Sequence, residues 1–169
     1  MAASIHQHKS DAPQSIRCAV ITVSDTRTVE TDTGGALVAE LLSGAGHQVA
    51  SRHIIRDDPP AMRSLLETLR DAGQVDAVLM TGGTGITSRD QTYETVSSIL
   101  TRQLPGYGEL FRMLSFEEIG AAAMLSRACA GVARGTVILA LPGSEHAVRL
   151  AMTKLIVPEL AHLVREVSR

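Results

Sequence analysis

Three glycines, Gly82, Gly83 and Gly85, alternate with two threonines in the run Thr81-Gly82-Gly83-Thr84-Gly85, and an aspartate, Asp90, follows shortly after. Glycines this dense let the backbone approach a ligand closely and turn successive N–H groups inward as an anion nest. The threonines add hydroxyl donors. The run matches neither GxGxxG nor GxxxxGK[ST], so neither standard nucleotide loop applies. A plain bend between strand and helix, which needs only one or two glycines, is the competing reading. A carboxylate beside a phosphate cradle suits Mg²⁺, which bridges carboxylate and phosphate oxygens. Asp90 also suits the N-cap of a helix beginning near Tyr93, with Thr92 and Glu94 at i+2 and i+4.

A second acid comes from Arg56-Asp57-Asp58. Asp58 precedes Pro59 and reads as an N-cap with proline at the first helical position. That leaves Asp57 either as a ligand acid or as a solvated loop acid. Ser24-Asp25-Thr26 is equally open between ligand contact and an Asx-type turn. Pro142-Gly143-Ser144 leads into a helix N-terminus, where backbone N–H groups favour an anion or polar ring, or it is a plain turn. His6 and His8 form a short pair able to bind a metal, but no further ligands stand nearby, and a frayed tail is the plainer reading. His47, His53, His146 and His162 show no ligand or triad spacing. Cys18 and Cys129 show no CxxC or metal pattern and suit a reducing compartment.

The elements that must position these residues alternate regularly. Residues 16–23 (IRCAVITV), 49–55, 75–80 and 135–141 (GTVILAL) are short apolar runs suited to strands covered on both faces. Helical stripes lie between them. Leu37, Leu41 and Leu42 mark one over 33–42, and Met62, Leu65, Leu66 and Leu69 mark another that Gly73 ends. Residues 93–130 read as mostly helical. His146 opens a last helix that Pro158 bends or interrupts. Strands alternating with helices call for a largely parallel sheet, with ligands beyond the carboxyl ends of its strands. The loops after Val23, Ile55, Met80 and Leu141 are those already singled out.

The chain has 169 residues, 44% hydrophobic and 20% charged, which indicates one globular domain over 15–169 with a flexible tail over 1–14. Lys and Arg number 16 against 18 Asp and Glu, and aromatics are only 2%. Nucleic-acid binding by phosphate attraction or base stacking is therefore not expected. No apolar run approaches a membrane span, and the amino end has no signal-peptide pattern, so a cytoplasmic location is expected.

In order and spacing, the chain resembles the MoaB/MogA family of molybdenum cofactor biosynthesis proteins. The likeness covers about 17–164 and rests on VSDT at 23–26, DTGG at 32–35, TGGTG at 81–85, RDQTYE at 89–94, LPGYGELFRMLSFEEIG at 104–120, AMLSRACAGV at 123–132 and LPGS at 141–144. The 104–120 segment is closer to the MoaB branch. The resemblance implies a three-layer α/β/α sandwich with a mostly parallel central sheet, assembling as trimers or hexamers, and contact with other proteins of the pathway is left open. It also implies Mg²⁺-assisted adenylylation of molybdopterin by ATP, giving adenylylated molybdopterin and pyrophosphate. Asp90 and Asp57 match the family's functional acids, and Ser126 lies in a stretch associated with the pterin pocket. Glu145 departs from the proline many relatives carry after LPGS.

The expected site thus has Asp57 and Asp90 as catalytic and metal-holding acids, with residues 81–85 cradling phosphate. Ser24, Asp25, Glu94, Ser126, Pro142, Gly143 and Ser144 are the expected ligand contacts. A carrier or scaffold that holds molybdopterin without reacting it is the rival reading. Phe111, Met113, Leu114 and Phe116 are expected to pack against a neighbouring subunit.

Overall fold

The computed structural model describes residues 13–169. The His6–His8 pair lies outside the described residues. Six strands form one sheet in the order β2-β1-β3-β6-β5-β4. They are β1 (Arg17–Val23), β2 (Gln48–Ile55), β3 (Ala77–Thr81), β4 (Arg102–Gln103), β5 (Cys129–Ala133) and β6 (Thr136–Leu141). The first four in spatial order run parallel, as the covering helices between them require. Strands β5 and β4 join antiparallel at the β6 edge.

Side chains alternate across the sheet and build two cores. Cys18 and Val20 face one side, with α1 (Thr33–Gly44), α4 (Pro105–Ile119), α5 (Glu145–Ala151) and α6 (Val157–Val167) packed over them. Ala19, Ile21 and Val23 face the other, under α2 (Pro59–Asp71) and α3 (Thr92–Ile99). The fold is therefore a three-layer α/β/α sandwich with a mostly parallel sheet, as expected.

Residues 93–130 are mostly helical, as expected, with two strand segments that the expectation did not include. A helix does occupy Pro105–Ile119, followed by a 3₁₀ turn at Gly120–Leu125, but β4 and the start of β5 interrupt the region. Strand β5 reads CAGVA, nearly free of β-branched residues. It is a strand because Gly131 lets the β4 backbone come close: a β-carbon there would overlap the Arg102 carbonyl. A two-residue turn joins β5 to β6, with Arg134 at φ 47 and Gly135 at φ 89. This is the type I′ arrangement whose twist suits a hairpin.

Pro158 does not end the last helix. A π-helical turn at Met152–Ile156 precedes it, and α6 continues to Val167. The wider turn accommodates the ring that would clash with a carbonyl one α-turn back.

Two of the four expected subunit-contact residues also turn inward. Phe111 is buried in the first core and Leu114 packs against it. Met113 and Phe116 stay more than half exposed, at 52% and 61%.

Candidate functional site

The parallel strands end level with one another. Val23 pairs with Ile55, Thr22 with Thr81, and Thr81 with Leu141, so the four carboxyl-end loops start from one line. Gly82 N–H then donates to the Leu141 carbonyl at 3.0 Å, tying the glycine loop to the Pro142-Gly143 turn. Gly82 has φ 99 and Gly83 φ 65, conformations that L side chains rarely adopt. A β-carbon on Gly82 would also overlap the Val23 carbonyl. Both strain and space thus demand glycine here.

Both expected acids stand against this loop. A β-carbon on Gly83 would lie 2.6 Å from Asp57 Oδ2, and one on Gly85 would lie 2.8 Å from Asp90 Oδ2. Asp57 Oδ1 accepts from Gln91 N–H at 3.1 Å. Asp90 Oδ2 accepts from Thr87 N–H at 2.9 Å and from the Thr87 hydroxyl at 2.6 Å. Asp90 is not the cap of α3; that place belongs to Gln91, which makes no side-chain capping bond. Asp58 does cap α2, accepting from Ala61 N–H at 3.1 Å. Asp57 is therefore free of that duty, as the place of Asp58 directly before Pro59 indicated.

Asp57 is held above the usual carboxylate range. Partial burial is the largest cause, the Gln91 N–H opposes it, Asp90 and Asp25 push further up, and Arg89 pulls down. Arg89 itself is ion-paired with Asp25. Three carboxylates and one guanidinium therefore share one electrostatic neighbourhood at the mouth of the loop.

Of the other expected contacts, Asp25 and Glu94 line neither of two hollows between which the rest divide. Ser24, Thr81, Gly82 and Gly143 line a small cavity of about 140 Å³ that also holds Thr22, Arg27, Asp32 and Gly34. Ser126, Pro142 and Ser144 line a separate, mainly apolar groove of about 360 Å³, floored by Phe111 and Leu150 and edged by His146. Most of these side chains also have local structural work. Ser24 Oγ accepts from Thr26 and Arg27 N–H at 3.2 and 3.1 Å, and Ser144 Oγ caps α5 by accepting from Ala147 N–H at 3.3 Å. The Thr81 hydroxyl donates to the Pro142 carbonyl at 3.0 Å, and Thr84 is buried at 3% exposure. The loop presents backbone rather than threonine hydroxyls.

Two residues of the site had no place in the sequence reading. Asp32, 3% exposed, caps α1 by accepting from Gly35 N–H at 2.9 Å. It also accepts from the Thr22 hydroxyl at 2.9 Å and Arg52 Nη2 at 3.0 Å. Its signal was the DTGG run itself, an N-cap residue three before a glycine. Arg127 reaches the glycine loop from the segment ahead of β5. Its Nε donates to the Gly85 carbonyl at 2.7 Å and its Nη2 to the Asp90 carbonyl at 2.8 Å. It pairs with Glu94, an expected ligand contact, and lies 5.3 Å over the Tyr93 ring. Neither cysteine offers a reactive thiolate: burial pushes Cys18 up to about 12 and Cys129 up to about 11.

Residues 19–162 match the family model for a probable molybdopterin binding domain. The chain belongs to that family. A relative, molybdenum cofactor biosynthesis protein B of Bacillus subtilis (strain 168), is 52% identical over 168 residues, covering 98% of each chain. A crystal structure of molybdenum cofactor biosynthesis protein B superposes with a TM-score of 0.90 at 50% identity, covering 94% of this chain and 99% of that one. The tungsten cofactor synthesizing protein MoaB from Pyrococcus furiosus superposes with a TM-score of 0.82 at 35% identity, covering 94% and 100%. No described helix is long and apolar enough to cross a membrane.

Asp57 and Asp90 are the carboxylates beside the loop that could hold a metal. Among the described residues no three His, Cys, Asp or Glu side chains gather closely enough to hold an ion alone. Two carboxylates beside a backbone cradle instead suit Mg²⁺, which keeps several waters and binds through one or two acids plus substrate phosphates.

Proposed function

We propose that this protein acts in molybdenum cofactor biosynthesis, in the cytoplasm, by transferring AMP from ATP to the terminal phosphate of molybdopterin. The observation that carries the reading is the placement of Asp57 and Asp90 against Gly83 and Gly85, two acids on one phosphate-sized loop. A carrier needs the loop but gains nothing from partly buried carboxylates that repel both each other and an anionic ligand.

Backbone N–H groups of the glycine loop hold the nucleotide phosphates. Asp57 and Asp90 would hold Mg²⁺, which supplies neutralisation of the phosphate charge. The apolar groove bearing Ser126, Pro142 and Ser144 receives the pterin. A molybdopterin phosphate oxygen forms the new bond to the α-phosphorus while the bond from that phosphorus to the β-bridging oxygen breaks, and pyrophosphate leaves. The attacking oxygen is already anionic, so no general base is required. The protein contributes alignment and electrostatic stabilisation.

The test is incubation of the protein with molybdopterin, Mg²⁺ and α-labelled ATP. Labelled adenylylated molybdopterin and pyrophosphate are expected. Absence of product with tight pterin binding retained would turn the assignment to a carrier.

Assembly belongs to the same reading. Leu110, Met113, Phe116 and Ile119 lie exposed along α4, and Met124 and Leu125 continue the apolar surface. Burial of this face between copies in a closed homo-oligomer, a trimer or hexamer, accounts for it.

A further inference from the structure

The stretch from Thr84 to Gln91 leaves β3 and reaches α3 through turns and bends, with no regular element of its own. Within the stretch Thr87 holds the Asp90 carboxylate, but only contacts from outside fix where the stretch itself lies. Asp57 and the Gly83 carbonyl hold its far end, through Gln91 N–H at 3.1 Å and Thr92 N–H at 3.0 Å. Arg127 holds the middle. Its backbone N–H donates to the Thr84 carbonyl at 3.0 Å, and its guanidinium bridges the Gly85 and Asp90 carbonyls, as described above. The same guanidinium continues to Glu94 and the face of Tyr93 on α3.

We propose that Arg127 is the positioning residue of this site: it clamps Gly85 to Asp90 so that the Asp90 carboxylate stays against the glycine loop, and it links that geometry to the groove lined by its neighbour Ser126. The proposal rests on the adenylyltransferase reading for its kinetic part and on geometry alone for the rest. The chemistry calls for arginine. A planar guanidinium serves two carbonyls and a carboxylate at once in a fixed fork, and a lysine ammonium on a flexible stem does not. The charge of Arg127 is paired with Glu94, and its other donors hold carbonyls of the loop itself. Its adjacency to Ser126 makes the groove wall and the clamp one piece of chain, so a shift at either is felt at the other.

Two variants of the full chain, Arg127→Lys and Arg127→Gln, test this by amide hydrogen exchange and by steady-state AMP transfer. In both, exchange at Thr87, Gln91 and Thr92 should quicken by at least about tenfold while β1 and β3 keep wild-type protection. In Arg127→Lys, kcat should fall at least about tenfold with KM for molybdopterin within about threefold, since ground-state binding is left in place. Unchanged exchange across 84–92 overturns the proposal. Faster exchange throughout the domain, with a lowered melting midpoint, also overturns it, because Arg127 would then be a general staple. Local loosening with wild-type kcat removes the kinetic part. If the wild-type protein transfers no AMP yet the local loosening appears, the positioning role stands and the proposed reaction falls.

Discussion

The space a methyl group would occupy on Gly83 is held by the Thr92 side chain and by Asp57, whose Oδ2 would stand 2.6 Å from it. The loop and the acid are therefore packed as one object, and substitutions in the loop act on the acids as well as on the backbone. Gly83→Ala combines that clash with a backbone φ of 65. It should cost about 1–3 kcal/mol of stability as well as ATP affinity. Gly85→Ala separates the two effects, because Gly85 carries no positive φ and meets only the Asp90 carboxylate at 2.8 Å. Its stability should stay within about 1 kcal/mol of wild type while ATP binding weakens at least about tenfold, or about 1.4 kcal/mol. Calorimetric binding beside a melting curve reads both. Wild-type ATP affinity in Gly85→Ala would reduce the loop to a bend.

Replacing either acid by its amide keeps shape and hydrogen-bond acceptor but removes the charge. Asp57→Asn and Asp90→Asn should melt near wild type and lose about 10²–10⁴ in turnover. Near-normal turnover in both would end the metal assignment.

The raised Asp57 has a definite sign in pH dependence. A carboxyl held above its unfolded value binds more protons folded than unfolded across the interval between the two. Stability then falls as pH rises through that interval, and its full contribution returns only below the unfolded value. Asp25→Asn removes one of the repelling charges and releases Arg89. The Asp57 carboxyl, followed by carbon-detected NMR titration, should then move to lower pH. No movement would mean that Asp25 does not act on Asp57.

Asp32 lies beneath the small cavity and gathers Thr22, Gly35 and Arg52 around one buried carboxylate. Asp32→Ala removes a cap and leaves those donors unmet, at a cost of about 2–4 kcal/mol. The melting midpoint should drop by about 5 to 15 °C. A drop under 2 °C, against that expectation, would show that water replaces the carboxylate readily.

Met113→Asp with Phe116→Asp should lower the assembly mass seen by light scattering while leaving the circular dichroism spectrum unchanged, because both side chains are more than half exposed. A wild-type mass of 17.9 kDa at micromolar concentration would remove the oligomer altogether.

The parallel half of the sheet was legible because β1, β3 and β6 are covered on both faces and read as continuous aliphatic runs. Strands β4 and β5 were not, because neighbours make them strands rather than side-chain preference. Gly131 admits a backbone, and the Arg134-Gly135 turn has arginine where asparagine or aspartate would have advertised it. In the site, the acids and glycines could be read from residue type and loop position. Arg127 could not, since its partners are mainly backbone carbonyls from a loop 37 to 42 positions away, which no spacing rule encodes. Phe111 and Leu114 were misplaced for a related reason. Along α4 they share a run with Met113 and Phe116, and only the packed sheet decides which of them turn inward.

Strand β6 runs between β3 and β5, although it is the last strand made. During synthesis, β1, β2 and β3 leave the ribosome with the β3 flank still open and with Gly82 N–H lacking its Leu141 acceptor. The Pro142-Gly143 wall of the small cavity and the Ser144 edge of the groove do not yet exist. The carboxyl-end loops therefore come together only when β6 takes its place between β3 and β5. A chain stalled near Arg134 would carry the glycine run and both acids but neither the Leu141 acceptor nor the walls that Pro142, Gly143 and Ser144 supply.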